Sequence, residues 1–117
     1  MDLKEIEKYL DKCSFLTKVF YNNTTSYEVY SKTFYPDDLE MPYENTARAI
    51  ILTNYGIYCR NLRIMNGLIY ARESVSVNNL TELNDFLNEI KIVITEHNRL
   101  YKQFMENRKI DKLNEDF

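Results

Sequence analysis

Two glycines, two prolines, two cysteines, one histidine and no tryptophan occur among the 117 residues, and each scarcity removes a class of function. Gly56 and Gly67 lie in separate segments, so no glycine-rich loop of the GxGxxG or Walker type is available to cradle a phosphate. His97 has no second histidine to work with, and Cys13 and Cys59 lack CxxC spacing. Neither a zinc site nor a nucleophile–base pair is expected from such a set. No run of about 18 apolar residues is present, so no membrane span is expected. The opening MDLKEIEKYL is charged from its second residue and has no apolar secretory core. These absences together predict a cytoplasmic protein with two free thiols, no metal, no cofactor and no catalysis.

What is present suffices for one packed core. The chain is 44% hydrophobic and 28% charged, and its length is close to the commonest domain size, so residues 1–117 read as a single domain. The net charge of −3 is unevenly spread. Residues 21–44 set Glu28, Asp37, Asp38, Glu40 and Glu44 against Lys32, whereas residues 45–72 hold Arg48, Arg60, Arg63 and Arg72 and no acid. An acidic stretch is followed by a purely arginine-basic one.

Periodicity predicts the elements. Leu3, Ile6, Leu10, Cys13, Thr17 and Phe20 alternate spacings of three and four, which predicts a helix over residues 2–20 with Asp2 and Glu5 at its start. Residues 26–35 are aromatic and β-branched and read as a strand. Residues 42–56 read as a helix between Pro42 and Gly56, although Ile50, Ile51 and Leu52 have strand composition. Asn66-Gly67 marks a type I′ hairpin with arms 57–65 and 68–77, the second alternating between Ile69, Ala71, Val75, Val77 and the wetter Tyr70, Arg72, Ser74, Ser76. A last helix over 80–104 starts from an Asn79 cap with Glu82, and carries Leu83, Leu87, Ile90, Ile94, His97, Tyr101 and Phe104 on one stripe. Beyond Met105 the chain is expected to fray, and the long apolar stripe suggests a homodimer through this helix. The predicted fold is α+β: an antiparallel sheet of about three strands flanked by an N-terminal and a long C-terminal helix.

Tyrosine is the distinctive excess, with ten in all and eight of them between Tyr21 and Tyr70. Tyrosine and arginine bury large areas while keeping a polar tip, which is why they dominate protein-interface hot spots. The expected function is therefore a non-enzymatic protein-binding module. Its partner surface is assigned to Tyr30, Tyr35, Tyr43, Arg60 and Arg63, with Asp37, Asp38 and Glu40 imitating a phosphate backbone. The excess of Asn, Lys, Ile and Tyr matches AT-rich coding, which suggests a phage- or virus-type antagonist that sterically blocks a host nucleic-acid-handling protein. His97 is expected to be a structural histidine, hydrogen-bonded within the packing. The order of a helix opening at Asn45-Thr46-Ala47-Arg48, an arginine-bearing hairpin and a long terminal helix also resembles winged-helix regulators. That resemblance implies a dimeric DNA-binding protein touching base or phosphate through Arg48 and phosphate through Arg60, Arg63 and Arg72.

Overall fold

The computed structural model describes residues 2–34 and 44–115. Helix α1 (Leu3–Asp11) is followed by strands β1 (Thr17–Tyr21), β2 (Thr24–Lys32), β3 (Glu44–Thr53), β4 (Gly56–Met65) and β5 (Leu68–Val77), and then by helix α2 (Leu80–Glu115). All five strands pair with their sequence neighbours in one antiparallel sheet, ordered β1-β2-β3-β4-β5. The class is α+β with an N-terminal and a long C-terminal helix, as expected, but the sheet has five strands rather than three.

The two additional strands replace predicted helix. Only Leu3–Asp11 of the region 2–20 is helical, capped by Asp2, whose carboxylate accepts from the Lys4 N–H at 3.0 Å. Thr17, Val19, Phe20 and Tyr21 are β-branched or aromatic and pair with β2 instead. Asn22 and Asn23 both take positive φ, 50° and 58°, and so form a tight two-residue connection between those strands. Residues 44–53 likewise extend as β3, because pairing on both sides lets Ile50 and Leu52 reach the core while their backbone groups join ladders. The helix expected between Pro42 and Gly56 is therefore absent over those residues.

One face of the sheet is covered. Ile6 and Leu10 of α1 and Leu83, Leu87 and Ile90 of α2 are buried against Tyr27, Val29, Ala47, Ile50, Ile57 and Cys59 of the strands. The Tyr27 hydroxyl donates to Asp11 Oδ1 at 2.7 Å, and the Tyr9 hydroxyl contacts Asn84 Oδ1, tying α1 to both the sheet and α2. Lys18 reaches back to Glu7 at 2.5 Å and Asp11 at 3.4 Å. These exposed ion pairs add little next to the apolar burial.

Two irregularities bend the sheet. Ala49 is an extra residue where Tyr27 pairs with Ile50 and Glu28 with Arg48, and a second shift in register falls between Arg60 and Leu62. The β3–β4 ladder consequently ends at the Ile50–Cys59 pair. The outer end of the β4–β5 hairpin crosses toward the end of β2 instead, where the Phe34 N–H donates to the Gly67 carbonyl at 3.3 Å. Asn66 and Gly67 at its tip have φ of 53° and 76°, the type I′ signature expected of Asn-Gly.

His97 holds the same turn from the helix side. It is 2% exposed, and its Nε2 lies 3.1 Å from the Gly67 carbonyl oxygen. A carbonyl only accepts, so Nε2 carries the donated proton. Phe34 packs its ring at 5.4 Å from His97 and 5.4 Å from Phe104. The structural role expected of His97 is the one it has.

Helix α2 runs through residue 115, past the predicted fraying point, and at 36 residues is about 54 Å long. Its buried stripe turns polar at Arg108 and Asp111, and Ile110 and Leu113 are exposed. Asn79 caps it as predicted: the Glu82 N–H donates to Asn79 Oδ1 at 2.9 Å, while the Glu82 carboxylate accepts from the Asn78 N–H at 2.9 Å. Replacing Asn79 by Ala is expected to cost about 1 kcal/mol, read as a lower urea midpoint with an unchanged slope.

Candidate binding face

Helices cover one side of the sheet, and alternation fixes what the other side presents. Successive side chains of a strand point to opposite faces, so residues paired across a ladder share a face. Val19, Ser26, Ile51, Tyr58 and Ser76 thus form one row across all five strands on the open side. Thr17, Glu28 and Arg48 form the next row, with Arg60 and its partner Ser74 beside it. Tyr30 projects from the same side of β2 and is 48% exposed. On the outer hairpin Arg63 pairs with Tyr70, and alternation along β5 places Arg72 on the Tyr70 side.

Where β3 and β4 part, the face is indented by a groove of ≈ 440 Å³. Glu28, Thr46, Arg48, Arg60 and Tyr70 line it, and the Asn45 amide spans its floor to the Ile69 carbonyl at 3.1 Å. This groove is a direct product of the two irregularities, because an unbroken β3–β4 ladder would close it.

The electrostatics of this face are predominantly basic, with four arginines set against Glu28 and, by alternation along β3, Glu44. Arg60 Nε donates to Ser74 Oγ at 3.2 Å, and Arg63 donates to the Leu62 carbonyl at 3.1 Å. Arg48, Arg60, Arg63 and Arg72 make no ion pair among the described residues, unlike Lys18 and Arg99, which contact carboxylates. Among the described residues Glu28 is the one acid lining the groove. Four guanidiniums retain unused, fork-shaped donors suited to carboxylate or phosphate.

The expected partner surface is located in part. Tyr30 and Arg63 are exposed and Arg60 is half-buried, all three on the open side. Tyr35, Asp37, Asp38, Glu40 and Tyr43 lie outside the described residues. Arg48 and Arg72, assigned earlier only to a DNA-binding layout, join the same surface from β3 and β5. Tyr58 and Tyr70 were not assigned to any site; the alternation of residues 68–77 was the signal that already placed Tyr70 with Arg72. The winged-helix layout is corrected on two points. Arg48 sits on a strand rather than a recognition helix, and the hairpin tip is docked onto Phe34 and His97 rather than free.

Chemistry elsewhere is sparse. No group of three or more His, Cys, Asp and Glu side chains able to hold a metal occurs among the described residues. Cys59 is fully buried, which pushes its thiol up to about 12, and partial burial also raises Cys13 despite nearby Lys91. A thiol held in the protonated form is a poor nucleophile. No helix is long and apolar enough to cross a membrane among the described residues. Comparison with known protein families, with curated proteins and with solved structures finds no match for this chain.

Proposed function

We propose that this chain is a non-enzymatic binding module that acts sterically, through the open side of its sheet, on an anionic surface of a macromolecular partner. One observation carries this reading: Arg48, Arg60, Arg63 and Arg72 gather on that side without carboxylate partners among the described residues, interleaved with Tyr30, Tyr58 and Tyr70. Rigid aromatic area beside unneutralised guanidinium is the composition of binding hot spots. A host protein blocked by a viral antagonist fits this reading where it presents acidic groups.

The net charge of −3 does not oppose the reading. At about 0.1 M salt, charges more than roughly 10 Å apart are largely screened, so a polyanion meets the arginine face rather than the molecular sum. The protein is accordingly expected to be retained on immobilised heparin at pH 7.5 and low salt, despite its overall acidity. The double variant Arg60→Glu, Arg72→Glu should flow through while its circular dichroism stays unchanged. A wild-type protein that flows through at about 50 mM salt would overturn the proposal.

A further inference from the structure

We infer that the anionic partner is single-stranded nucleic acid, with phosphates on Arg48, Arg60, Arg63 and Arg72 and unpaired bases on the rings of Tyr58 and Tyr70; this rests on the open side being the binding face. Three observations favour it over other polyanions. The first is the pairing of charge with aromatic surface: Arg63 stands directly across the ladder from Tyr70, and Tyr70 shares the groove with Arg48 and Arg60. Guanidinium beside an available ring serves a chain that offers a phosphate and a π-face in every unit. Carboxylates of an acidic protein would satisfy the arginines, but a protein surface does not repeat a stackable ring face beside every charge as a nucleic-acid strand does.

The second observation is the shape of the face. Tyr58 lies in the middle of a row spanning all five strands, between Ile51 and Ser76, so its ring stands on a broad sheet surface rather than on a projecting element. Reading a duplex through its major groove takes a helix or a two-stranded ribbon that enters it. The ribbon that carries Arg60, Arg63 and Arg72, β4–β5, has its tip held down by the Phe34 N–H and by His97 Nε2, both on the Gly67 carbonyl. Bases within a duplex also have their faces occupied by their neighbours, whereas unpaired bases stack on tyrosine.

The third observation is the groove between β3 and β4. It is an open channel with Arg48 on one side and Arg60 and Tyr70 on the other, which suits a flexible backbone crossing the strands. Glu28 is the discordant group on its wall. Its carboxylate opposes a phosphate there, so Glu28→Gln is expected to tighten binding.

The test is a fluorescence-anisotropy titration of the full chain with labelled single-stranded DNA and RNA 20-mers and with the corresponding duplex. Four phosphate contacts to a single strand predict a log–log salt slope near −2.8, hence a roughly 50-fold weakening between about 50 and 200 mM salt. The duplex should bind at least tenfold more weakly than the single strand. Arg48→Gln and Arg63→Gln should each flatten the slope by about 0.7. The pair Tyr58→Leu, Tyr70→Leu should weaken binding tenfold or more at unchanged slope, and Tyr58→Phe, Tyr70→Phe should restore it because the ring is what stacks. Should the leucine pair fail to fold, the arginine slopes and the phenylalanine pair decide the matter. Duplex binding equal to or tighter than single-strand binding would overturn the inference. Retention on heparin without binding of either oligonucleotide would also overturn it, while leaving the arginine face as a site for an acidic protein. Failure of both heparin retention and oligonucleotide binding would remove both proposals.

Discussion

Gly67→Ala is expected to lower stability by about 3 kcal/mol or more and the melting temperature by roughly 10 °C. Two independent costs combine at this position. Gly67 has φ of 76°, a region in which a Cβ is disfavoured by roughly 1 kcal/mol on its own. A Cβ built there would stand 1.5 Å from the Phe34 carbonyl oxygen and 2.6 Å from the Phe34 carbonyl carbon. Backbone cannot swing aside as a side chain can, so the turn itself must move. That movement breaks the Phe34–Gly67 hydrogen bond, withdraws the acceptor of buried His97, and loosens Phe34 from His97 and Phe104. Leaving a buried donor unsatisfied costs a further 1–3 kcal/mol or so. Thermal melts of the variant beside wild type measure the sum, and a loss under about 1 kcal/mol would show that the turn is not locked against β2 and α2.

Tyr27→Ala is the second large effect, expected to cost about 3–5 kcal/mol, the range for removing a large buried ring. Tyr27 is 1% exposed and stands between α1 and the sheet. The companion variant Tyr27→Phe keeps the ring and removes only the hydroxyl, whose partner Asp11 is exposed and can return to water. Its cost at neutral pH is therefore about 1 kcal/mol. The difference between the two variants separates packing from the hydrogen bond, and packing is expected to dominate.

The pH dependence of that pair has a defined sign. Desolvation by burial, and after it the bond to Asp11, hold the Tyr27 phenol well above the ordinary tyrosine range. The folded state thus keeps this group protonated where the unfolded chain ionises. Its contribution is fully present below the unfolded value, about 10, and declines as pH rises above it, by up to about 1.4 kcal/mol per pH unit. Urea denaturation between about pH 8 and 11 should therefore show wild type losing its advantage over Tyr27→Phe as the solution becomes alkaline. An advantage that stays constant across that window would rule out the buried neutral phenol.

Local signals read from the chain hold where the chain alone decides the conformation. Asn66-Gly67 demands a turn with two positive φ values, Asn79 with Glu82 caps a helix, and the stripe from Leu83 to Phe104 needs a single apolar surface to lie on. These are contacts within a few residues, or a periodicity repeated often enough to be unambiguous. The short stretches 13–21 and 44–53 misled for a common reason. Each carries a few apolar residues compatible with either spacing, and intrinsic preference differs by less than the energy of the partner strand that finally pairs with it.

The candidate face divides in the same way. The concentration of arginine in residues 45–72, free of acids, and the wet alternation of Tyr70, Arg72, Ser74 and Ser76 are properties of the sequence. Their assembly with Arg48, Tyr58 and Tyr30 into one surface is not, because a one-residue change of register moves a side chain to the opposite face. The bulge at Ala49 and the shift between Arg60 and Leu62 settle that register, and both arise from pairings between distant strands. By itself, then, the sequence determined the class of fold, the Asn66-Gly67 turn, the two helix caps and the scarcity of catalytic groups. Tertiary structure alone decided which strands exist beside the hairpin, where the sheet opens, and that four arginines share its uncovered side, since each of these depends on backbone partners far apart in the chain.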